Sequence, residues 1–502
     1  MARGPLRGTA AAFVAGVLLA SCALGPDFAP PAAPDVPGYT PERLAPTTVS
    51  ADTAGGQAQR FVKDLDLPGQ WWTLFHSKPL NALVEKALAS NQDLKAAQAA
   101  LRVARENVRA QQGMLWPQVD ANAQAFRGLP PIAAPLDNSF VAPTFNLFTT
   151  QLSISYVPDV FGNTRRSIEA LVAQKDQQRF QLEATYLTLT SNLAGAAVQE
   201  ASTRGQIAAT EQIIKIERDT LDLLRKQRAA GQIAEADAVA QEAALAQVEQ
   251  TLPPLQKQLA QNRDLIAALA GGFPSDHLSA RFLLAELRLP RDLPLSLPAK
   301  LIEQRPDVRM AEENLHAASA EIGVAITNRL PNITLTANAG STSDAVNTMF
   351  GSGTEFWGVT AAVAQPIFHG GTLFHRELAA KDAYDQALAQ YRSTVIVAFQ
   401  NVADSLRAIQ TDAVALQKAV ASERAALHSL DIVRGRLKLG DVNYLGLLNA
   451  EQTYQQAVLS LAQAKAARYA DTVSLFQALG GGWWNRQDVE AEKPPTIGDF
   501  FQ

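Results

Sequence analysis

Few side chains in this chain have a type and spacing suited to covalent or metal chemistry. Among 502 residues there is one cysteine, Cys22, so an intramolecular disulfide and a CxxC metal or redox pair are both excluded. The six histidines show no ligand spacing, and His369 and His375, which straddle a predicted turn and helix start, read as surface residues rather than a metal pair. No GxxxxGK(S/T) phosphate loop, GxSxG elbow or HExxH motif occurs. No catalytic residue, metal or other cofactor is therefore expected. With 44 basic and 49 acidic residues, a net charge of −5, the chain carries no nucleic-acid footprint. The one reactive group that stands out is the Cys22 thiol.

Its surroundings say what that thiol is for. Residues 1–21 read as a secretory signal, with Arg3 and Arg7 ahead of an apolar stretch from Ala10 to Ala20 that is short for a bilayer span. The segment ends Leu19-Ala20-Ser21-Cys22, which resembles a bacterial lipobox. That resemblance implies cleavage before Cys22 and a diacylglyceryl thioether on its sulfur. Two or three acyl chains anchor stably, because each buried methylene contributes about 0.8 kcal/mol and a single chain is marginal. Ala23 stands where an aspartate would retain the protein at the inner membrane, so the expected site is the inner leaflet of the outer membrane. Seven prolines from Pro26 to Pro46 then predict an extended tether, with lipid anchor and tether together spanning 22–60.

The elements that follow are written twice. Asp93, Ala97, Leu101, Ala104, Pro117 and Ala123 recur at a constant offset as Asp307, Ala311, Leu315, Ala318, Pro331 and Ala337. Further on, Arg225, Gly231, Gly271 and Gly272 recur as Arg434, Gly440, Gly480 and Gly481. The chain is a tandem duplication, with copies at about 61–298 and 299–482 and a tail at 483–502. Each copy opens with a predicted helix, Leu80 to Met114 or Leu301 to Asn328. Pro117 and Pro331 stop these, and alternating residues (Val119, Ala121, Ala123, Ala125; Ile333, Leu335) predict a strand. Return strands carry Leu152, Ile154 and Tyr156, or Val359, Ala361 and Val363. Thr164 to Arg228 and Thr372 to Lys438 contain no proline and predict helices about 100 Å long at 1.5 Å per residue. Ile207, Ile214 and Leu221 step by sevens, as do Leu447, Tyr454 and Leu461, so these helices need partners. The partners return after turns at Gly231 and Gly440 as Glu235 to Ala270, interrupted by Pro253-Pro254, and Asn443 to Leu479. The chain is 47% apolar but only 7% aromatic, so alanine and small aliphatics do most of the packing. Four strands leave open edges that lipid cannot satisfy, so the chain must oligomerise; two copies would give eight strands and three would give twelve.

At this point a family resemblance covers nearly the whole mature chain. Gly25-Pro26-Asp27, Trp71-Trp72, Asn91-Gln92-Asp93-Leu94, Arg305-Pro306-Asp307-Val308, Pro331-Asn332-Ile333, Gln365-Pro366-Ile367-Phe368 and Asn443-Tyr444-Leu445 resemble the TolC-like outer-membrane factors, in particular the NodT subgroup of resistance-nodulation-division efflux lipoproteins. The resemblance implies a mainly α fold with a β-barrel part. Long coiled-coil helices would form a periplasmic α-barrel, and four strands per chain would complete a twelve-stranded outer-membrane barrel in a homotrimer. An equatorial belt would take Phe61 to Asn81, Phe273 to Pro298 and the carboxyl terminus. The implied function is passive export of small molecules from an inner-membrane resistance-nodulation-division pump, reached through a periplasmic adaptor. The same fold also suits a conduit for ABC-driven polypeptide secretion, and a poreless periplasmic scaffold is the reading from another class; the two hairpins argue against the scaffold.

The turns at Gly231 and Gly440 should lie at the periplasmic tip. The family places adaptor contact there, on Arg228, Gly231, Ala234 and Asp237 in the first copy and Leu437, Gly440, Asn443 and Gly446 in the second. Family members narrow the tip with acidic residues six and nine positions after the second-copy glycine. Here those positions are Gly446 and Asn449, so a constriction would be built from Asp441 or Asp237, or held by Asn449. Phe140, Phe145, Phe148, Phe356 and Trp357 are candidates for the lipid interface.

Overall fold

The computed structural model describes residues 23–128, 144–276, 280–296, 298–439 and 441–486. Cys22, Phe140, Gly440 and the tail from 487 lie outside the described residues. In chain order the elements are β1 (Arg60–Lys63), α1 (Lys78–Ser90), α2 (Gln92–Gly113), β2 (Gln118–Gly128), β3 (Phe145–Tyr156), α3 (Asn163–Ala229), α4 (Glu235–Glu249), α5 (Leu252–Leu269), β4 (Asp292–Leu295), α6 (Pro298–Gln304), α7 (Pro306–Thr327), β5 (Asn332–Ser343), β6 (Glu355–Ala364), α8 (Thr372–Lys438) and α9 (Tyr444–Ala478).

The two long helices form as expected, each of 67 residues. Each starts after a left-handed glycine, Gly162 or Gly371, where Pro and Gly residues have ended the preceding strand. The helices predicted over 80–114 and 301–328 are, however, each two helices. The first breaks at Asn91, whose side chain caps α2 by accepting from the Leu94 N–H at 3.0 Å and donates to the Leu269 carbonyl at 3.0 Å. The second breaks at Arg305, held extended ahead of Pro306, whose guanidinium donates to the Ala478 carbonyl at 2.9 Å and to both oxygens of Asp307. Asn91 and Arg305 occupy equivalent places in the duplication. Each uses its side chain to satisfy an orphan carbonyl at the C-terminus of its own copy's return helix, α5 or α9. Helical periodicity runs through both breaks because the partner that bends the chain lies more than 170 residues away.

The four long strands form one antiparallel sheet in the order β2-β3-β5-β6, so the two hairpins meet at β3 and β5. The register places Val119 opposite Ile154, Ala121 opposite Leu152, Ile154 opposite Ala337, Leu152 opposite Ala339, Ala337 opposite Val359 and Ala339 opposite Trp357. One face of the sheet is therefore apolar from edge to edge. The alternate residues, among them Asp120, Asn122, Gln151, Ser153, Asn338 and Thr360, make the other face polar. The apolar rows run from Ala339 opposite Trp357 to Ile333 opposite Val363, about 20 Å along the strand at about 3.3 Å per residue, and the row beyond, Ala123, Thr150, Ser341 and Glu355, turns polar. Trp357 lies on this face 80% exposed, whereas Phe145 packs against Phe126 near the end of its hairpin, at a ring separation of 5.6 Å. β2 and β6 are the two edges.

The helices continue that order. In the sheet-proximal half α2 packs on α3, α3 on α7 and α7 on α8, and these helices adjoin β2, β3, β5 and β6 respectively. In the far half α4 and α5 pack on α3, and α9 packs on both α3 and α8. A single row of helices thus extends the sheet, ending at α2 and α8 as the sheet ends at β2 and β6. The α8 end leaves Ile396 and Val397 exposed, at 68% and 46%.

The main core sits midway along the helices. Trp71, Trp72, Phe75, Tyr469 and Phe476 are fully or almost fully buried, and the parallel pair β1-β4 lies beside them. The tail begins by joining this core. Trp484 and Asn485 donate to Asp66 at 3.0 and 2.8 Å, and Arg486 pairs with Glu183 at 2.6 Å while stacking over Tyr186.

The proline-rich segment is extended, as its composition predicts, but it is fastened along its length. Arg166, almost fully buried, donates to the carbonyls of Ala23, Leu24 and Gly25 and pairs with Asp27 at 2.8 Å. Phe28 stacks on His316, Tyr39 donates to the Ser296 carbonyl, and Arg407 and Arg424 hold Glu42 and Asp52 on α8. Arg468, 1% exposed, then donates to the Gly55 and Gln57 carbonyls and to Gln59 Oε1. Arg468→Ala strands those acceptors at about 1–3 kcal/mol. We expect trypsin to cut the folded variant after Arg60 at least tenfold faster than the parent, as read by mass spectrometry of the fragments. Equal rates would mean that the strap is held by its other contacts.

Candidate functional site: the helical tip

The far end of the helices is built from two turns. At the end of α3, Gly231 adopts φ +73°, the Gly231 N–H donates to the Arg228 carbonyl at 2.9 Å and the Gln232 N–H to the Gln227 carbonyl at 2.9 Å. This is a left-handed helix cap, and a Cβ on Gly231 would meet nothing within 4 Å, so the backbone angle alone demands glycine. In the second copy the Asp441 N–H donates to the Arg436 carbonyl at 3.0 Å, the matching bond, around a Gly440 outside the described residues.

Of the residues expected at the adaptor contact, Arg228, Gly231, Ala234 and Asn443 are exposed, and Asp237, Leu437 and Gly446 are half-buried. Several already have structural work within the chain. Arg228 pairs with Glu235 across its turn at 3.0 Å, Asp237 sits in the first turn of α4 where its charge complements the helix dipole, and Asn443 Oδ1 caps α9 by accepting from the Gly446 N–H at 3.1 Å. The residues expected to narrow a pore, Asp441 and Asn449, are both exposed. Asp441 lies 3.8 Å from Arg436 Nε on its own turn, a solvated pair that partly offsets its charge. His369 and His375 are exposed, and no cluster of metal-ligating side chains occurs among the described residues.

The turns are held together by Leu224, Leu430, Tyr444 and Leu447, against which Ile233 and Leu437 pack. Just inside this apolar plug lies a polar cluster that the sequence reading missed. Glu217 of α3, Gln241 of α4 and Glu451 of α9 are 3%, 0% and 3% exposed. Gln241 donates to the Glu217 carbonyl at 2.9 Å and to its carboxylate, and accepts a hydrogen bond from the Tyr444 hydroxyl. Arg434 of α8 reaches Glu451 Oε1 at 3.2 Å. Burial, reinforced by the neighbouring Glu217 charge, pushes the Glu451 carboxyl up to about 7, and burial raises Glu217 as well. The signal was present in the sequence: Glu217 and Glu451 interrupt apolar stripes, three residues after Ile214 and four after Leu447. A second carboxyl pair joins α8 and α9 nearer the core. Burial first, and then a hydrogen bond and the charge of Asp471, push Asp412 up to about 7.

A chain that carries a sheet apolar on one face and polar on the other, continued by a helical row about 100 Å long at 1.5 Å per residue, has the make-up of a membrane channel with a helical stalk. The sequence comparisons agree. Residues 83–272 and 297–481, one stretch in each copy, match the outer membrane efflux protein family, and the chain belongs to that family. It is 27% identical over 498 residues to the toluene efflux pump outer membrane protein TtgC of Pseudomonas putida, covering 96% of this chain and 98% of TtgC. It is 26% identical over 482 residues to the cation efflux system protein CusC of Escherichia coli, covering 94% and 98%. Among solved structures, the outer-membrane channel OprN is similar at a TM-score of 0.80 and 27% identity, over 92% of this chain and 100% of that one. The protein is an outer-membrane efflux channel of the kind that serves a tripartite pump.

Proposed function

We propose that three copies of the chain form the channel, that Cys22 anchors each copy by acyl chains in the outer membrane, and that the tips receive a periplasmic adaptor coupled to an inner-membrane resistance-nodulation-division pump. The observation that carries this reading is the match between the two open edges of the sheet and the two open ends of the helical row. One neighbouring copy pairs β6 with its β2 and covers α8 with its α2, which removes both the unpaired backbone and the exposed apolar side chains. Three copies give twelve strands. The apolar face then meets lipid and the polar face lines the pore.

Arg166 supports the anchor. By gathering the carbonyls of residues 23–25 it holds the chain immediately after Cys22 beside the start of α3, next to the sheet, where acyl chains can enter the inner leaflet. At the tips the small side chains Gly231, Ala234 and Gly446 permit close approach of a helical partner. Asp441 and Asn449 narrow the opening; with Gly446 and Asn449 in place of carboxylates, selection for cations is weak. The channel does no chemistry. One relative is named for toluene and another for cations, which supports a passive conduit whose small-molecule cargo is chosen by the pump.

The test is reconstitution of the mature protein in a planar bilayer, after mass spectrometry of its amino-terminal peptide. Acylated Cys22 and discrete conductance steps of one size are expected. Silence that persists after Gly440→Arg and Asn449→Arg splay the tip would overturn the conduit, and an unmodified thiol would overturn the anchor.

A further inference from the structure

The buried carboxyl pair near the tip has no part in the conduit as described so far, and its placement gives it one. Glu217 lies on α3 and Glu451 on α9, so the pair ties the second-copy hairpin, α8 with α9, to the first-copy hairpin, α3 with α4. Both carboxyl groups are almost fully buried in one cluster, where the Glu217 charge helps raise the Glu451 carboxyl, and Glu451 Oε2 finds no donor group among the described residues. Two carboxylates cannot hydrogen-bond without a proton, and one proton between them satisfies the orphan oxygen. The surrounding charges are few. Arg434 from α8 offsets both carboxylates, Asp237 from α4 acts on the Tyr444 hydroxyl beside them, and Gln241 and Tyr444 are neutral.

We infer that the proton shared by Glu217 and Glu451 is a latch that holds the α8–α9 hairpin against α3–α4, so that acid closes the tip and alkali loosens it. The inference rests on the channel reading for its consequence but not for its chemistry. Loss of the proton leaves two buried negative charges facing one guanidinium. The separation of α9 from α3 rehydrates both and breaks the adjoining Tyr444–Gln241 bond. The sign follows from linkage. A carboxyl raised in the closed state binds its proton more tightly there than in the open state, so the closed state gains below neutral pH and loses it as pH rises past about 7. With an ordinary carboxyl in the open state, the open-to-closed ratio rises about thirtyfold between pH 5.5 and pH 8.5.

Two readouts test this on the whole protein. In planar bilayers, the ratio of open to closed time should rise about thirtyfold over that pH range, and Glu451→Gln, whose amide donates to Glu217 at every pH, should hold the channel at its acid level throughout. Asp412→Asn, which alters a pair within the α8–α9 hairpin, should leave the pH dependence in place. In detergent, amide hydrogen exchange across residues 444–454, corrected for intrinsic rates, should quicken with the same midpoint in the parent and stay slow in Glu451→Gln. A pH-independent parent in both readouts, or a Glu451→Gln variant with the parent's pH response, overturns the latch. A bilayer silent at every pH even after Gly440→Arg and Asn449→Arg, with exchange still titrating as expected, overturns the conduit and leaves the latch standing.

Discussion

Trp71→Ala will destabilise the protein by about 3–5 kcal/mol, the range for deleting a fully buried aromatic. Trp71 is 0% exposed, with the rings of Trp72, Phe75 and Phe476 at 6.1, 6.4 and 5.6 Å. It stands where the segment after the strap, the long helix α3, the end of α9 and the aromatic turn 71–75 converge, so no single element can shift to fill the space. Its indole N–H finds no acceptor among the described residues, and the loss is therefore one of packing. Trp71→Phe should recover more than half of it. Chemical denaturation followed by near-ultraviolet circular dichroism reads both variants, and a Trp71→Ala midpoint equal to the parent's would show that this core is dispensable.

Gly480→Ala should cost about 2–6 kcal/mol, from left-handed strain of about 1–3 kcal/mol and overpacking of about 1–3 kcal/mol. Gly480 has φ +90°, and a Cβ there would stand 2.2 Å from the Gln304 carbonyl oxygen. That carbonyl also accepts from the Trp483 indole at 2.7 Å, and the neighbouring Arg305 holds the end of α9 through Ala478. The clash thus falls on the joint that bends the second copy, where backbone rather than a flexible side chain must yield. Gly231→Ala provides the contrast. Its φ is similar but its surroundings are open, so only the left-handed strain of about 1–3 kcal/mol applies. Equal losses at the two sites would mean that the joint relaxes. Both glycines are landmarks of the sequence repeat, one for space and angle together and the other for angle alone.

The sequence by itself determined everything written in local periodicity. The duplication, the two 67-residue helices, the alternating strands and the turn at Gly231 follow from the spacing of alanine, leucine, proline and glycine, which sets backbone angle and apolar face before any distant contact forms. The tertiary structure decided where remote segments meet. It broke two periodic helices at Asn91 and Arg305, where those side chains donate to carbonyls at the ends of α5 and α9. It turned a free tether into a strap, since Arg166, Arg407, Arg424 and Arg468 are spaced along helices rather than along the proline-rich segment they hold. It also gave Glu217 and Glu451 a meaning, for each is one acidic residue on an apolar stripe until packing brings both into the same dry space. A carboxyl group acquires its chemistry from the water it loses and the charge it faces, and both are fixed by helices that the sequence places far apart.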